Sequence, residues 1–264
     1  MDFQLEEKIA LVTGSTAGIG LAIAEVLAQE GATVIINGRS EERVQQAIAH
    51  IHSLHPHARL QAAPADLSTK AGVEKLIKEL PSVDILINNV GIYEIKSFVD
   101  ISDEDWLHIF DVNVMSGVRL SRHYLPLMLN KNEGRIIFIS SESGLQIPPE
   151  MIHYGMTKTA QLAIARGMAE LTAGTRVTVN SVLPGPTQSD GVNDFLNTIS
   201  KEQSRTVQEI EQEFFSTMRP SSLLKRFAST HEVAVMVAFL CSPLASATNG
   251  SSVHVDGGIV RSIA

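Results

Sequence analysis

Ile9-Ala10-Leu11-Val12-Thr13-Gly14-Ser15-Thr16-Ala17-Gly18-Ile19-Gly20 runs from four apolar residues through a glycine turn into a helical stripe. That stripe, Leu21, Ile23, Ala24, Val26, Leu27 and Ala28, closes at Gly31. A short unbroken apolar run reads as a strand buried on both faces. Glycines after it permit a tight turn and a close backbone approach to a pyrophosphate at the N-terminus of the following helix. A plain turn is the other reading of any glycine cluster; the strand–turn–helix setting weighs against it.

Outward from this unit the same alternation repeats. Thr33 to Asn37 is a second strand, and Ser40 with Glu41 and Glu42 opens a helix running to about Leu54. Leu60 to Ala65 is a third strand, Ser68 is expected to cap a helix ending before Pro81, and Asp84 to Asn88 is a fourth strand. Ser102-Asp103-Glu104-Asp105 opens one long helix carrying Trp106, Phe110, Val114 and Leu120, which Pro126 is expected to kink. Arg135 to Ser140 is strand five, a helix follows Tyr154 to about Ala173, and Val177 to Val182 is strand six. A helix from His231 to Leu240 and a strand at Val253 to Val255 close the chain. Strands alternating with helices predict an α/β fold, a single doubly wound Rossmann domain over 1–264. It would hold a parallel seven-stranded sheet with helices on both faces. The segment from Ser189 to Leu224 interrupts the alternation; its Phe195, Leu196, Phe214, Phe215 and Met218 need a surface to cover. It emerges where the crevice of such a fold lies, so we read 189–224 as a substrate lid, a surface insertion being the alternative.

The chain has 264 residues, 44% hydrophobic and 19% charged, which is ample for a core and carries no disorder signature. Twenty-one Lys and Arg against 29 Asp and Glu leave a net charge of −8, which argues against nucleic acid and an anionic membrane as partners. A lone Cys241, no Cys/His zinc spacing, an acidic N-terminus and no apolar run near ~18 residues point to a cytoplasmic protein without metal or membrane span. His50, His52, His55 and His57 cluster near a helix end and read as a solvated loop.

Tyr154-Gly155-Met156-Thr157-Lys158 places a phenol and an ammonium at i and i+4 of a helix, where the side chains meet. Such an ammonium is expected to draw the tyrosine pKa from about 10 towards neutrality, making a proton donor and acceptor for carbonyl or alcohol chemistry. The same spacing arises by chance on helix surfaces, so its neighbours decide its meaning.

With those neighbours the chain resembles a short-chain dehydrogenase/reductase over nearly its whole length. The resemblance rests on the G-x-x-x-G-x-G turn, Asn88-Asn89-Val90-Gly91 (Val90 where the family usually has Ala), Asn113, Ser141, Tyr154 and Lys158. Downstream it rests on Pro184-Gly185 with Thr187 and on Val255-Asp256-Gly257-Gly258. It implies a site in which Tyr154 supplies the proton, Ser141 donates to the substrate carbonyl, and Lys158 lowers the Tyr154 pKa and holds the nicotinamide ribose. Asn113 would bind a water leading from Lys158 to solvent. Ser140, one residue along the strand, points the other way, and spacing favours Ser141. The implied nucleotide contacts are Gly14, Ser15, Thr16, Gly18, Ile19 and Gly20, then Asp66 and Leu67 at the adenine, and Asn89, Val90 and Gly91. Tyr154, Lys158, Pro184, Gly185 and Thr187 complete them.

An acid at the end of strand two would hydrogen-bond a ribose 2′-hydroxyl and repel a 2′-phosphate. Here Asn37-Gly38-Arg39-Ser40 offers an arginine, and Gly38 falls at the family's usual acid position. NADP(H) is therefore favoured over NAD(H), unless Arg39 is only a solvated turn residue. Glu142 and Gln146 follow Ser141 and could recognise a polar substrate, or face the surface; His153 could touch substrate or pack. The expected function is an NADP(H)-dependent oxidoreductase of a small carbonyl or secondary alcohol. A 3-oxoacyl-carrier-protein reductase is the alternative within the family. The aligned positions for basic carrier contacts fall at Asn132 and Thr175, with Lys131 and Arg176 adjacent. A dinucleotide-binding sensor without turnover is the alternative from another class. The family also implies a homotetramer.

Overall fold

The structure, a computed structural model, describes residues 2–203 and 205–263, with the backbone alone at 190, 191, 194, 195, 198 and 202. Whether Phe195 helps to cover the crevice therefore lies outside the described residues. The elements alternate as the apolar runs predict: β1 (Ile9–Val12), α1 (Gly18–Gln29), β2 (Thr33–Gly38), α2 (Glu41–Leu54), β3 (Arg59–Pro64), α3 (Lys70–Glu79) and β4 (Ile85–Asn88). Then come α4 (Asp103–Phe110), α5 (Ser116–Lys131), β5 (Gly134–Ile139), α6 (Ile152–Glu170) and β6 (Val177–Pro184). A two-residue strand β7 (Thr187–Gln188), α7 (Asp190–Gln203), α8 (Val207–Thr217), β8 (Ala228–Ser229), α9 (Thr230–Cys241) and β9 (Ser252–Val255) complete the order.

Seven strands form one parallel sheet in the order β3-β2-β1-β4-β5-β6-β9. Because successive side chains point to opposite faces, each strand feeds two cores. Ala10, Val12, Val34, Ile36, Ile85 and Ile87 pack with α1, α2 and α9 on one face. Leu11, Ile35, Leu86, Ile136 and Phe138 pack with α3, α5 and α6 on the other. The strand order reverses between β1 and β4, so a crevice opens beyond their carboxyl ends. No helix among the described residues is long and apolar enough to cross a membrane.

One expectation needs correction, and two gain detail. The segment opened by Ser102 is helical throughout to Lys131, but a π-helical turn, Asp111–Met115, lies between its α-helical stretches α4 and α5 and carries Asn113; α5 runs through Pro126. The cap of α3 is Thr69, whose hydroxyl accepts from Gly72 N at 3.0 Å; Ser68 donates instead to Asp66 Oδ1 at 2.7 Å. In the segment after β7, Leu196, Ile210, Phe215 and Phe227 bury one another with Phe214 against them. Its apolar residues thus find much of their cover in a small core of their own, and Met218 stays 47% exposed.

Candidate active site

The glycine turn is built by groups outside it. Asn37 Oδ1 accepts from Gly14 N at 3.2 Å, and Asn37 Nδ2 donates to Ala63 O at 2.8 Å. Thr13 Oγ1 accepts from Asn89 N at 2.8 Å and Val90 N at 3.1 Å; Asn89 Nδ2 donates to Thr13 O at 2.9 Å and Gly14 O at 3.1 Å. β1, β2 and β4 are thus pinned together where their ends meet. Gly14 has a φ of +61°, and a Cβ at Gly20 would stand 2.4 Å from Gly14 O, so both positions require glycine.

Beyond the turn lies a cleft of 770 Å³. Gly14, Thr16, Gly18, Ile19, Gly20, Arg39, Asp66, Leu67, Asn89, Val90 and Gly91 line it. Ser15 does not: fully buried, it donates to Val12 O at 2.7 Å and accepts from Asn37 N at 2.9 Å, holding the turn from within. Pro184, Gly185 and Thr187 also stand outside this lining. Gly185 N donates to Val255 O at 3.1 Å, and Thr187 Oγ1 to Gly185 O at 2.9 Å.

At the β2 end of the cleft Arg39 is joined by Arg43 from the first turn of α2. Neither guanidinium has a hydrogen-bond or ion-pair partner among the described residues. A Cβ on Gly38 would come within 2.5 Å of Thr16 Cγ2, so Thr16 fills the space an acid there would need. These free cations and the glycine cradle fit a phosphorylated dinucleotide.

The reacting groups converge beside Gly91, whose added Cβ would lie 3.5 Å from Lys158 Nζ and 3.6 Å from Asn113 Oδ1. Tyr154 enters from the first turn of α6, and its ring meets Tyr93 edge-on at 6.2 Å. Ser141 follows β5 and accepts from Ser143 N at 3.1 Å while donating to Glu142 Oε2 at 3.2 Å. Ser140 donates to Lys158 O at 2.9 Å, which leaves Ser141 as the serine next to the phenol.

The expected effect of Lys158 on Tyr154 is absent from this arrangement. Lys158 Nζ lies 5.6 Å from the Tyr154 ring centroid and donates to Ile139 O at 2.9 Å and Gln161 Oε1 at 3.2 Å. Burial pushes Lys158 down to about 7. Burial pushes Tyr154 up to about 12; the Ser141 hydroxyl pulls it down, and the Glu142 carboxylate pushes it up.

The role implied for Asn113 also changes. Its Oδ1 accepts from Ile92 N at 2.8 Å, and its Nδ2 donates to Ile92 O at 2.9 Å and Thr157 Oγ1 at 3.0 Å. Its carbonyl accepts from Gln161 Nε2 at 2.6 Å, so a buried glutamine bridges Lys158 and Asn113 directly.

Glu142 is buried, not surface-facing, and Arg219 Nε donates to its Oε1 at 3.0 Å. Gln146 is exposed. His153 is buried with its ring edge-on to Trp106 at 5.9 Å and Nε2 4.0 Å from Glu94 Oε2; among the described residues neither ring nitrogen has a hydrogen-bond partner. Arg43, Gln161 and Arg219 are the residues the sequence reading missed. Arg43 is four residues past Arg39, in the first turn of the helix that Ser40 caps, a signal the sequence does carry; Gln161 sits three residues past Lys158; Arg219 has no local signal.

The short chain dehydrogenase family model matches residues 8–199. The chain is 51% identical over 263 residues to uncharacterized oxidoreductase YvaG of Bacillus subtilis (strain 168), covering 100% of both chains. It is 35% identical to the 3-oxoacyl-[acyl-carrier-protein] reductase FabG of Aquifex aeolicus (strain VF5), over 98% of this chain and 100% of that one. Among solved structures it is similar to L-sorbose reductase from Gluconobacter frateurii complexed with NADPH and L-sorbose. That likeness has a TM-score of 0.93 and 29% identity over 100% of both chains. The chain belongs to the short-chain dehydrogenase family, oxidoreductases that act on CH–OH groups and carbonyls with NAD(P).

Proposed function

We propose that the chain is an NADP(H)-dependent reductase of small carbonyl compounds, also able to oxidise the corresponding secondary alcohol. The observation that carries the cofactor choice is the pair of guanidiniums, Arg39 and Arg43, without partners among the described residues, at the β2 end of the cleft, with Gly38 in place of an acid. A 2′-phosphate there would gain charge-assisted hydrogen bonds that a hydroxyl cannot. Bound NADPH supplies the hydride. Ser141 holds the carbonyl oxygen, and Tyr154, protonated well past neutral pH, gives that oxygen its proton as the alcohol forms. Lys158 holds the nicotinamide ribose, with the Asn113 carbonyl linked to it through Gln161, and the segment 189–224 covers the crevice.

For the substrate, the Glu142–Arg219 pair beside Ser141 makes a polar wall suited to hydroxylated ketones, in keeping with the likeness to L-sorbose reductase. The 35% identity to FabG favours a second reading, reduction of a 3-oxoacyl group on a carrier protein. Against it stand the net charge of −8 and the neutralisation of Lys131 by Asp84. A homotetramer fits the open edge of β9 and the exposed Phe98, Val99 and Leu107 near α4. A cytoplasmic setting fits the single buried thiol of Cys241.

Oxidation of NADPH and, in parallel, NADH over ketoses, simple ketones and a 3-oxoacyl carrier tests these readings. Equal use of NADH would overturn the cofactor choice. Turnover confined to the carrier substrate would favour the second reading.

A further inference from the structure

The turn after β5 presents a carboxylate where the site already has its proton donor. Glu142 Oε2 accepts from Ser141 Oγ at 3.2 Å and also from Ser143 Oγ. Glu142 Oε1 accepts from Arg219 Nε at 3.0 Å, with the two side chains 4% and 11% exposed. Arg219 follows α8. Its Nη1 donates to Met218 O at 2.9 Å and lies 3.9 Å from Glu150 Oε1, and its guanidinium sits 5.9 Å from the Phe214 ring centroid. Phe214 stacks on Phe227 at 5.2 Å within the small core of the 189–224 segment. One arginine therefore ties that segment to the residue adjoining Ser141.

We propose that Glu142 and Arg219 are a positioning pair, through which docking of the 189–224 segment sets the proton arrangement of the Ser141–Tyr154 couple. The inference rests on the reading of Ser141 and Tyr154 as the reacting end. Ser141 has one proton to give. A bare carboxylate beside it is a strong acceptor and would keep that proton from a substrate oxygen. Arg219 shares the charge of Glu142, weakens its claim on Ser141, and satisfies a carboxylate otherwise costly to bury. Glu150 faces Arg219, and Tyr154 feels both members of the pair; around the phenol itself stand Lys158 on α6 and Tyr93 from the loop after β4. Of these influences on the phenol, Glu142 and Tyr93 act upwards and Arg219 downwards, so the two members of the pair have opposite signs.

That opposition gives a test which needs no substrate. The chain has three tyrosines, so phenolate absorbance of the full chain, minus the same titration of Tyr154→Phe, isolates Tyr154. Glu142→Gln should bring the Tyr154 phenolate in at a pH lower by about half a unit or more, and Arg219→Met should delay it by a similar amount. Arg219→Lys, which keeps the charge, should superimpose on the parent. In a Ser141→Ala background the Glu142→Gln shift should fall by half or more. Circular dichroism defines the folded range of each variant; should Arg219→Met unfold early, Glu142→Gln with and without Ser141 decides. Superimposed titrations of the parent and Glu142→Gln would overturn the inference, as would a shift undiminished in Ser141→Ala. Failure of the underlying reading would look different: Tyr154→Phe would retain full NADPH turnover whatever the titrations gave.

Discussion

Lys158 Nζ stands 5.6 Å from the centre of the Tyr154 ring and spends its donors on Ile139 O and Gln161 Oε1 rather than on the phenol. The two groups share a helix face as i and i+4 neighbours, yet burial moves them apart in acidity, Lys158 down to about 7 and Tyr154 up to about 12. A lysine that gives up its proton so readily offers the phenolate little stabilising charge. With Tyr154 pushed up to about 12, the phenol keeps its proton at neutral pH, which is the form that can give a proton to a carbonyl oxygen.

This has a consequence for stability. Between about pH 7 and the ordinary lysine value of 10.5, the unfolded chain binds a proton at Lys158 that the folded chain does not, so stability rises with pH there. Tyr154 acts oppositely between 10.0 and about 12, where only the folded chain holds the proton. Urea unfolding of the nucleotide-free protein should show a Lys158 contribution growing by about 1–2 kcal/mol between pH 7 and pH 9. The difference between the parent and Lys158→Met isolates it. A constant difference across that range would contradict the assignment.

Tyr154→Phe removes the hydroxyl while keeping the ring packed against Tyr93. Turnover should drop by about 10²–10⁴-fold, the range for loss of a positioned acid, with NADPH binding little changed. Stopped-flow turnover paired with a nucleotide fluorescence titration separates the two quantities.

Arg39→Ala and Arg43→Ala should each weaken NADPH by about 10-fold or more while leaving NADH nearly untouched, since each removes a charge-assisted contact to one phosphate. Gly38→Asp alone should fail to give an NADH enzyme, because its Cβ would press on Thr16 Cγ2 at 2.5 Å. Pairing it with Thr16→Ala should release that clash and shift preference towards NADH. The readout is the ratio of kcat/KM values for the two cofactors.

Gln161→Leu leaves the Asn113 carbonyl and the Lys158 amine each one partner short in a buried setting. It should cost about 1–3 kcal/mol of stability, and kcat should fall more than KM rises. Gln161→Glu should instead raise the Lys158 pKa, because a carboxylate favours the ammonium, so the Lys158 contribution to unfolding stability should set in at a higher pH than in the parent.

Much of this site was legible in the chain because its determinants are local. The glycines at 14, 18 and 20 follow an apolar run and open a helix, a strand–turn–helix signature that needs no knowledge of distant residues. Ser102 with Asp105 is a cap seen from spacing alone, and both bonds of that capping box are present. The π turn at Asn113 was not legible: nothing in Asp111-Val112-Asn113-Val114-Met115 marks a widened turn inside the long helix. The π turn coincides with side-chain bonds from Asn113 to Ile92 and Thr157, residues distant in the chain.

The sequence by itself determined the alternation of strands and helices, the family, the glycine cradle and the arginine at the end of β2. Periodicity and turn chemistry act over a few residues and leave their mark in order and spacing. Only the tertiary structure decided what surrounds the reacting groups. It buried Lys158 with Gln161, turned Ser15 inward to hold the turn, and brought Arg219 from 77 positions away onto Glu142. Desolvation and long-range ion pairing depend on what folds over a side chain, and a linear spacing of four residues between Tyr154 and Lys158 carries no record of it.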